Sequence, residues 1–155
     1  CVRVYMLACV HVCVYCVADL TSPPTPPVVT TQPTPTPACR PRTTFESGLM
    51  GYTNDASNDI DWGLNRGNTG SFATGPSVDH TLGNSLGQYV YLETSSPASA
   101  GDEARLISPA YPSPPGSICQ ATFWYHMYGE QIGTLNVYVK TSTVNFRVFT
   151  QSGNQ

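Results

Sequence analysis

Positive charge is scarce in this sequence. Seven Lys and Arg stand in 155 residues against ten Asp and Glu, giving a formal charge of -3 and a pI near 5.4. The seven are scattered, so no basic stripe is available to neutralise a run of phosphates, and a nucleic-acid partner is not expected. Sustained helical patterning is absent as well: no segment holds an apolar helical period between caps, which argues against a helical bundle. No His-Glu-x-x-His pair of a metalloprotease is present. Neither Asn68-Thr69, followed by Gly70, nor Asn84-Ser85, followed by Leu86, completes an N-glycosylation acceptor.

What the chain does contain is turn chemistry, with 13 Gly and 14 Pro. A turn-rich, weakly charged chain of this length suits one all-β domain with flanks. Cys1, Cys9, Cys13 and Cys16 crowd the start, while Cys39 and Cys119 lie later. Four thiols near His11 have the right chemistry for zinc. They alternate with Val10, Val12 and Val14, however, without Gly, Pro or Asn to bend the chain around an ion, so zinc is not expected.

Residues 1–20 form an apolar, Cys/Val-rich segment that supports more than one reading. It is a remnant hydrophobic segment, secretory or membrane-spanning, interrupted by Arg3 and His11. Alternatively, residues 1–17 are translated repeat DNA, because a TG dinucleotide repeat read as TGT then GTG encodes alternating Cys and Val. A spliced transcript carrying the tract in frame would refute that reading. Residues 21–38 are rich in Thr and Pro. Proline removes backbone donors and fixes φ, so this stretch reads as an extended linker, either a mucin-like stalk or an unmodified spacer.

From Cys39 to Gln155 the pattern is of short β segments between turns. Gln88 to Glu93 and Arg105 to Ser108 read as strands. In Ile118 to Tyr128, alternation puts Cys119, Ala121, Phe123, Tyr125 and Met127 on one face and Gln120, Thr122, Trp124, His126 and Tyr128 on the other. Leu135, Val137 and Val139 form the return arm of a hairpin, and Val144, Phe146 and Val148 add a further strand. The fold class is therefore all-β, a sandwich.

Five ordered motifs carry a resemblance to a known family: Phe45-Glu46-Ser47-Gly48-Leu49, Asn58-Asp59-Ile60-Asp61-Trp62, Gly75-Pro76-Ser77-Val78-Asp79-His80-Thr81, Gly101-Asp102-Glu103-Ala104-Arg105-Leu106 and Phe123 to Gly129. The series resembles the MAM domain, the extracellular module shared by meprins, neuropilins and certain receptor tyrosine phosphatases. The resemblance covers residues 39–155 and implies a jelly-roll β-sandwich of two antiparallel sheets, C-terminally incomplete because family members continue with further strands and a distal Cys. It implies a non-catalytic recognition or adhesion module of a larger secreted or membrane-anchored protein, with extracellular protein partners that include identical domains. Two alternatives stand beside it: a lectin-like sandwich that stacks sugars on Trp62, Trp124 or Tyr138, and an accessory domain of a secreted metalloprotease.

The resemblance also speaks to cysteines and calcium. Met50 occupies a position where the family usually has Cys, which leaves Cys39 without its usual partner. Cys119 is expected to pair with a Cys beyond residue 155, leaving a free thiol here and a domain that folds poorly alone. Glu46 and Asp79 are the implied calcium ligands, with solvated carboxylates as the competing reading. Asp55, Asn58, Asp59 and Asp61 also offer clustered oxygens but form no EF-hand loop, since Gly70 lies at the twelfth position from Asp59. Asp79 and His80, adjacent in an extended chain, point to opposite faces and build no triad. His126 reads as a packing or hydrogen-bonding residue.

Overall fold

The computed structural model describes residues 3–6, 11–18, 42–112 and 117–155; the linker at 21–38 and Cys39 lie outside the described residues. Ten strands follow in order: β1 (Arg3–Met6), β2 (His11–Ala18), β3 (Arg42–Thr43), β4 (Thr53–Asn54), β5 (Gly63–Arg66), β6 (Gln88–Tyr91), β7 (Leu106–Ile107), β8 (Ser117–Trp124), β9 (Thr134–Lys140) and β10 (Asn145–Ser152). Among the described residues there is no helix, and hence none long and apolar enough to cross a membrane. The strands make an antiparallel β-sandwich, with sheets ordered β10-β9-β1-β7-β4 and β3-β2-β8 and a two-stranded β5-β6 ribbon.

The Cys/Val segment supplies two of these strands. β1 lies between β9 and β7, and β2 pairs with β8 along its whole length, placing Cys16 opposite Cys119. Alternating valines suit a pleated surface, and both neighbours run antiparallel to their new partner. Cys119, expected to await a partner outside the chain, is disulfide-bonded here.

Phe45, Val90, Leu106, Leu135 and Val137 are fully enclosed, and Tyr52, Trp62, Ala104, Tyr111 and Met127 complete the core. Each large aliphatic or aromatic side chain removed from water contributes about 1.5–3 kcal/mol. Alternation along β8 is as expected: Cys119, Ala121, Phe123 and Tyr125 pack on the core while Trp124 stays exposed. Along β9, Leu135 and Val137 are buried.

On β10 the phase differs from the sequence expectation. Register shifts between Arg147 and Phe149, a β-bulge at Val148. The extra residue brings Phe149 inward, 5.1 Å from Phe123 and 5.4 Å from Tyr125 between ring centroids. Val144, Phe146 and Val148 are left about half exposed. A single inserted residue reverses which side chains meet the core.

Candidate functional site

The long connection between β5 and β6 carries the Asp-His-Thr motif, and its conformation is set by hydrogen bonds rather than by regular structure. Asp79 is the pin. Its Oδ2 accepts the amides of Thr81 and Leu82, the latter at 2.8 Å. Asn84 continues the brace: its Oδ1 accepts the Leu86 amide at 2.9 Å and its carbonyl accepts the Gly87 amide at 3.3 Å. Arg66 Nη1 donates to the Leu86 carbonyl at 2.6 Å, fastening the loop to β5. Burial alone would raise the Asp79 carboxyl's pKa, but the amides of Leu82, Thr81 and Asn84 outweigh it and hold the group below the ordinary carboxylate value.

Asp79 is 5% exposed, and its Oδ1 is buried without a well-formed hydrogen bond. Gly87 makes room for it: a Cβ there would lie 1.8 Å from Oδ1 and 2.0 Å from Cγ. Glu46 arrives at the next residue, its Oε1 accepting the Gln88 amide at 3.0 Å. The structure thus draws both expected calcium ligands to consecutive residues, Gly87 and Gln88. Phe45, with φ of 61°, turns the chain into Glu46, and its ring sits fully buried 5.3 Å from Tyr52, edge to face. A left-handed backbone costs a bulky residue about 1–2 kcal/mol, which burial of the ring offsets.

Beside this loop lies a cavity of about 260 Å³ lined by Thr44, Val78, Asp79, His80, Trp124 and His126, among others. The His80 ring stacks on Trp124 at 3.7 Å, 18° from parallel. His126 Nε2 lies 3.1 Å from the Thr74 carbonyl, which can only accept, so Nε2 is the protonated nitrogen. Asp79 therefore faces its own loop amides, while the His80 ring lies on an indole.

The remaining acidic motif residues act as backbone clamps. Asn54 mimics a strand partner for Trp62, accepting its amide at 2.9 Å and donating to its carbonyl at 3.1 Å. Asn58 does the same for Arg105, at 2.7 and 3.2 Å. Asp59 Oδ2 accepts the Glu103 amide at 2.8 Å while its own amide donates to the Glu103 carbonyl at 2.9 Å. The second and fourth sequence motifs thus stitch to one another. Asp55 accepts the Ser57 hydroxyl and amide, which lower its pKa. Among the described residues no group of three His, Cys, Asp or Glu is placed to hold a metal.

The aromatic candidates for sugar stacking separate by burial. Trp62 is 3% exposed and belongs to the core, whereas Trp124 is 44% exposed with one ring neighbour already in place. Tyr138 is partly buried on β9. Sequence reasoning missed Gly87 and Asn84, whose importance lies in what they permit or brace across the loop; the only local signal was the turn composition of Gly83-Asn84-Ser85.

Comparison with known proteins bears on the same segment. The family model described as "MAM domain, meprin/A5/mu" matches residues 43–155. MAM domain-containing glycosylphosphatidylinositol anchor protein 1 of Rattus norvegicus is 38% identical over 114 residues, covering 69% of this chain and 12% of that protein. MAM domain-containing glycosylphosphatidylinositol anchor protein 2 of Homo sapiens is 35% identical over 126 residues, covering 72% of this chain and 13% of that protein. MAM domain-containing protein 2 of Mus musculus is 40% identical over 97 residues, covering 63% and 14% respectively. The chain therefore spans a small fraction of these relatives. No solved structure matches it.

Proposed function

Because the chain belongs to the MAM domain family, we propose that it is a non-catalytic recognition module of a larger extracellular protein held at the cell surface, acting through contacts with other proteins. The observation that carries this reading is the family match across residues 43–155. The glycosylphosphatidylinositol anchor named in two of the relatives is theirs; on this reading the parent of the present chain is membrane-anchored in a comparable way. Asp79 and His80 serve the loop and the Trp124 stack, which favours binding over hydrolysis. With Trp62 enclosed, protein contact is also the better reading than sugar stacking.

The test is binding of the fluorescently labelled chain to intact cells. Recognition of protein predicts saturable binding that disappears after brief protease treatment of the cells. Binding that survives protease and is lost when Trp124 is replaced by Ala would move the reading to the lectin-like alternative.

A cation at Asp79 is a second reading, favoured by the buried, unpartnered Oδ1. Calcium would take Asp79 and Glu46, the remaining oxygens coming from backbone and water, and would supply charge neutralisation between loop and sandwich. Calcium bound only to the folded chain must raise its Tm. The expected result is a rise in the chain and none in Asp79→Asn; an unchanged Tm in both removes the cation.

A further inference from the structure

A second cleft opens between residues 69–75 of the β5–β6 connection and the segment that joins β8 to β9. Its volume is about 670 Å³, and Phe72, Tyr91, Glu93, His126, Tyr128 and Glu130 are among its lining residues. Both walls are fixed by the fold. In the first, the Thr74 hydroxyl donates to the Ser71 carbonyl at 3.1 Å, Ala73 takes a φ of 55°, and a Cβ at Gly75 would collide with the Thr69 side chain. The second wall is tied to the first: His126 Nε2 reaches the Thr74 carbonyl at 3.1 Å, and a Cβ at Gly129 would touch the Thr74 side chain at 3.5 Å. A cleft braced in this way needs little reordering to receive a ligand.

The lining is aromatic and anionic. Phe72 is 97% exposed and Tyr128 53% exposed, so much of both rings is open to a ligand. Glu93 Oε1 accepts the Ser95 hydroxyl at 2.7 Å and the Ser95 amide at 3.0 Å, and its Oε2 lies 3.3 Å from the Ser71 hydroxyl. These donors, the Ser95 hydroxyl first, hold the carboxyl below its ordinary value. All of them are neutral, so they fix the negative charge without cancelling it. Glu130 is exposed and makes no hydrogen bond or ion pair with any described residue. No Lys or Arg is among the described residues that line the cleft.

We infer that this cleft takes the side chain of an arginine carried by the protein partner. A guanidinium is planar and always charged, it stacks on aromatic faces, and it offers a fork of N–H donors to carboxylates. Phe72 and Tyr128 supply the aromatic faces, and Glu93 and Glu130 supply the acceptors. A lysine ammonium would meet the charge, yet it has no plane to stack and no fork to divide between acceptors. An apolar side chain would desolvate the carboxylates without pairing them, which is unfavourable. An anionic group would meet charge of its own sign. The inference rests on the recognition reading and deepens it by naming what the partner must present.

The probe is the peptide acetyl-Gly-Arg-Gly-amide, titrated into the full chain labelled with nitrogen-15 and followed by amide chemical shifts. Its citrulline counterpart, equal in shape but uncharged, is the control. Saturable shifts are expected at Phe72, Glu93 and Tyr128 with a Kd of about 1–10 mM, and the citrulline peptide should bind about tenfold or more weaker. Glu130→Gln and Tyr128→Ala should each weaken the arginine peptide about threefold or more. Both side chains are exposed, so the variants should keep their strands by far-UV circular dichroism; should one unfold, the other decides. Equal binding of the two peptides, shifts confined to other surfaces, or no saturation up to about 50 mM overturns the proposal. So does an affinity unchanged in both folded variants. Protease-sensitive binding to cells alongside any of those outcomes leaves the recognition reading standing, whereas peptide binding without cell binding removes that reading alone.

Discussion

Replacing Gly87 by Ala tests whether the Asp79 pin organises the loop. The added methyl would have to occupy space 1.8 Å from Oδ1 and 2.0 Å from Cγ of Asp79. That carboxylate is no flexible tip free to swing away, because it is 5% exposed and accepts the Thr81 and Leu82 amides. Overpacking costs about 1–3 kcal/mol, and hydrogen bonds to a charged acceptor contribute about 1.5–3 kcal/mol. Losing much of both gives an expected destabilisation of about 3–5 kcal/mol. Urea denaturation of the chain and the variant measures it. Gly83→Ala is the control: nothing lies within 4 Å of its Cβ, so only the strain of φ 66° remains, about 1–2 kcal/mol. In an Asp79→Ala background the Gly87→Ala penalty should fall below about 1 kcal/mol, since the clash has lost its partner. A Gly87→Ala cost no larger than that of Gly83→Ala, or one unchanged in the Asp79→Ala background, would mean that Asp79 does not pin the loop against Gly87.

Three further outcomes follow from packing, charge and covalent structure. Leu135→Ala, at a fully buried β9 position, should cost about 2–5 kcal/mol in the same denaturation assay, whereas Val148→Ala on the half-exposed bulge should cost under about 1 kcal/mol. Glu93 has its pKa lowered from 4.5, first by the Ser95 hydroxyl and then by the Ser95 amide. Its contribution is complete above the unfolded-chain value and lost as pH falls through the folded one, so Tm should decline on acidification below about pH 5, and less steeply in Glu93→Gln. Reducing the disulfide at Cys119 should remove about 2–5 kcal/mol, read as a lower Tm in dithiothreitol.

Period-2 patterning made β8 and β9 legible, because each has a core face and a polar face and no irregularity between them. β10 was legible as a strand but not in phase, since nothing in Phe146-Arg147-Val148-Phe149 announces which residue is the extra one; the choice belongs to Phe123 and Tyr125, which receive Phe149. Trp62 and Trp124 looked alike as candidate aromatics, yet the Asn54 clamp ties one into the core while the other lies on the outer face of β8. Asp59 read as one of several clustered oxygens, and its actual work is to hold Glu103, 44 residues away. Such long-range pairing leaves no local trace. The motif series identified the family because it records these pairings collectively, residues 54–62 with 103–106 and Glu46 with Gln88.

Recognition of protein by this sandwich, as proposed above, makes a prediction about cells that have lost their glycans. The most direct measurement is the saturation curve of the labelled chain on cells stripped enzymatically of their glycans, set beside untreated cells. Protein recognition predicts a Kd unchanged within about twofold, a difference of less than about 0.5 kcal/mol. A loss of affinity of about tenfold or more on the stripped cells would contradict it.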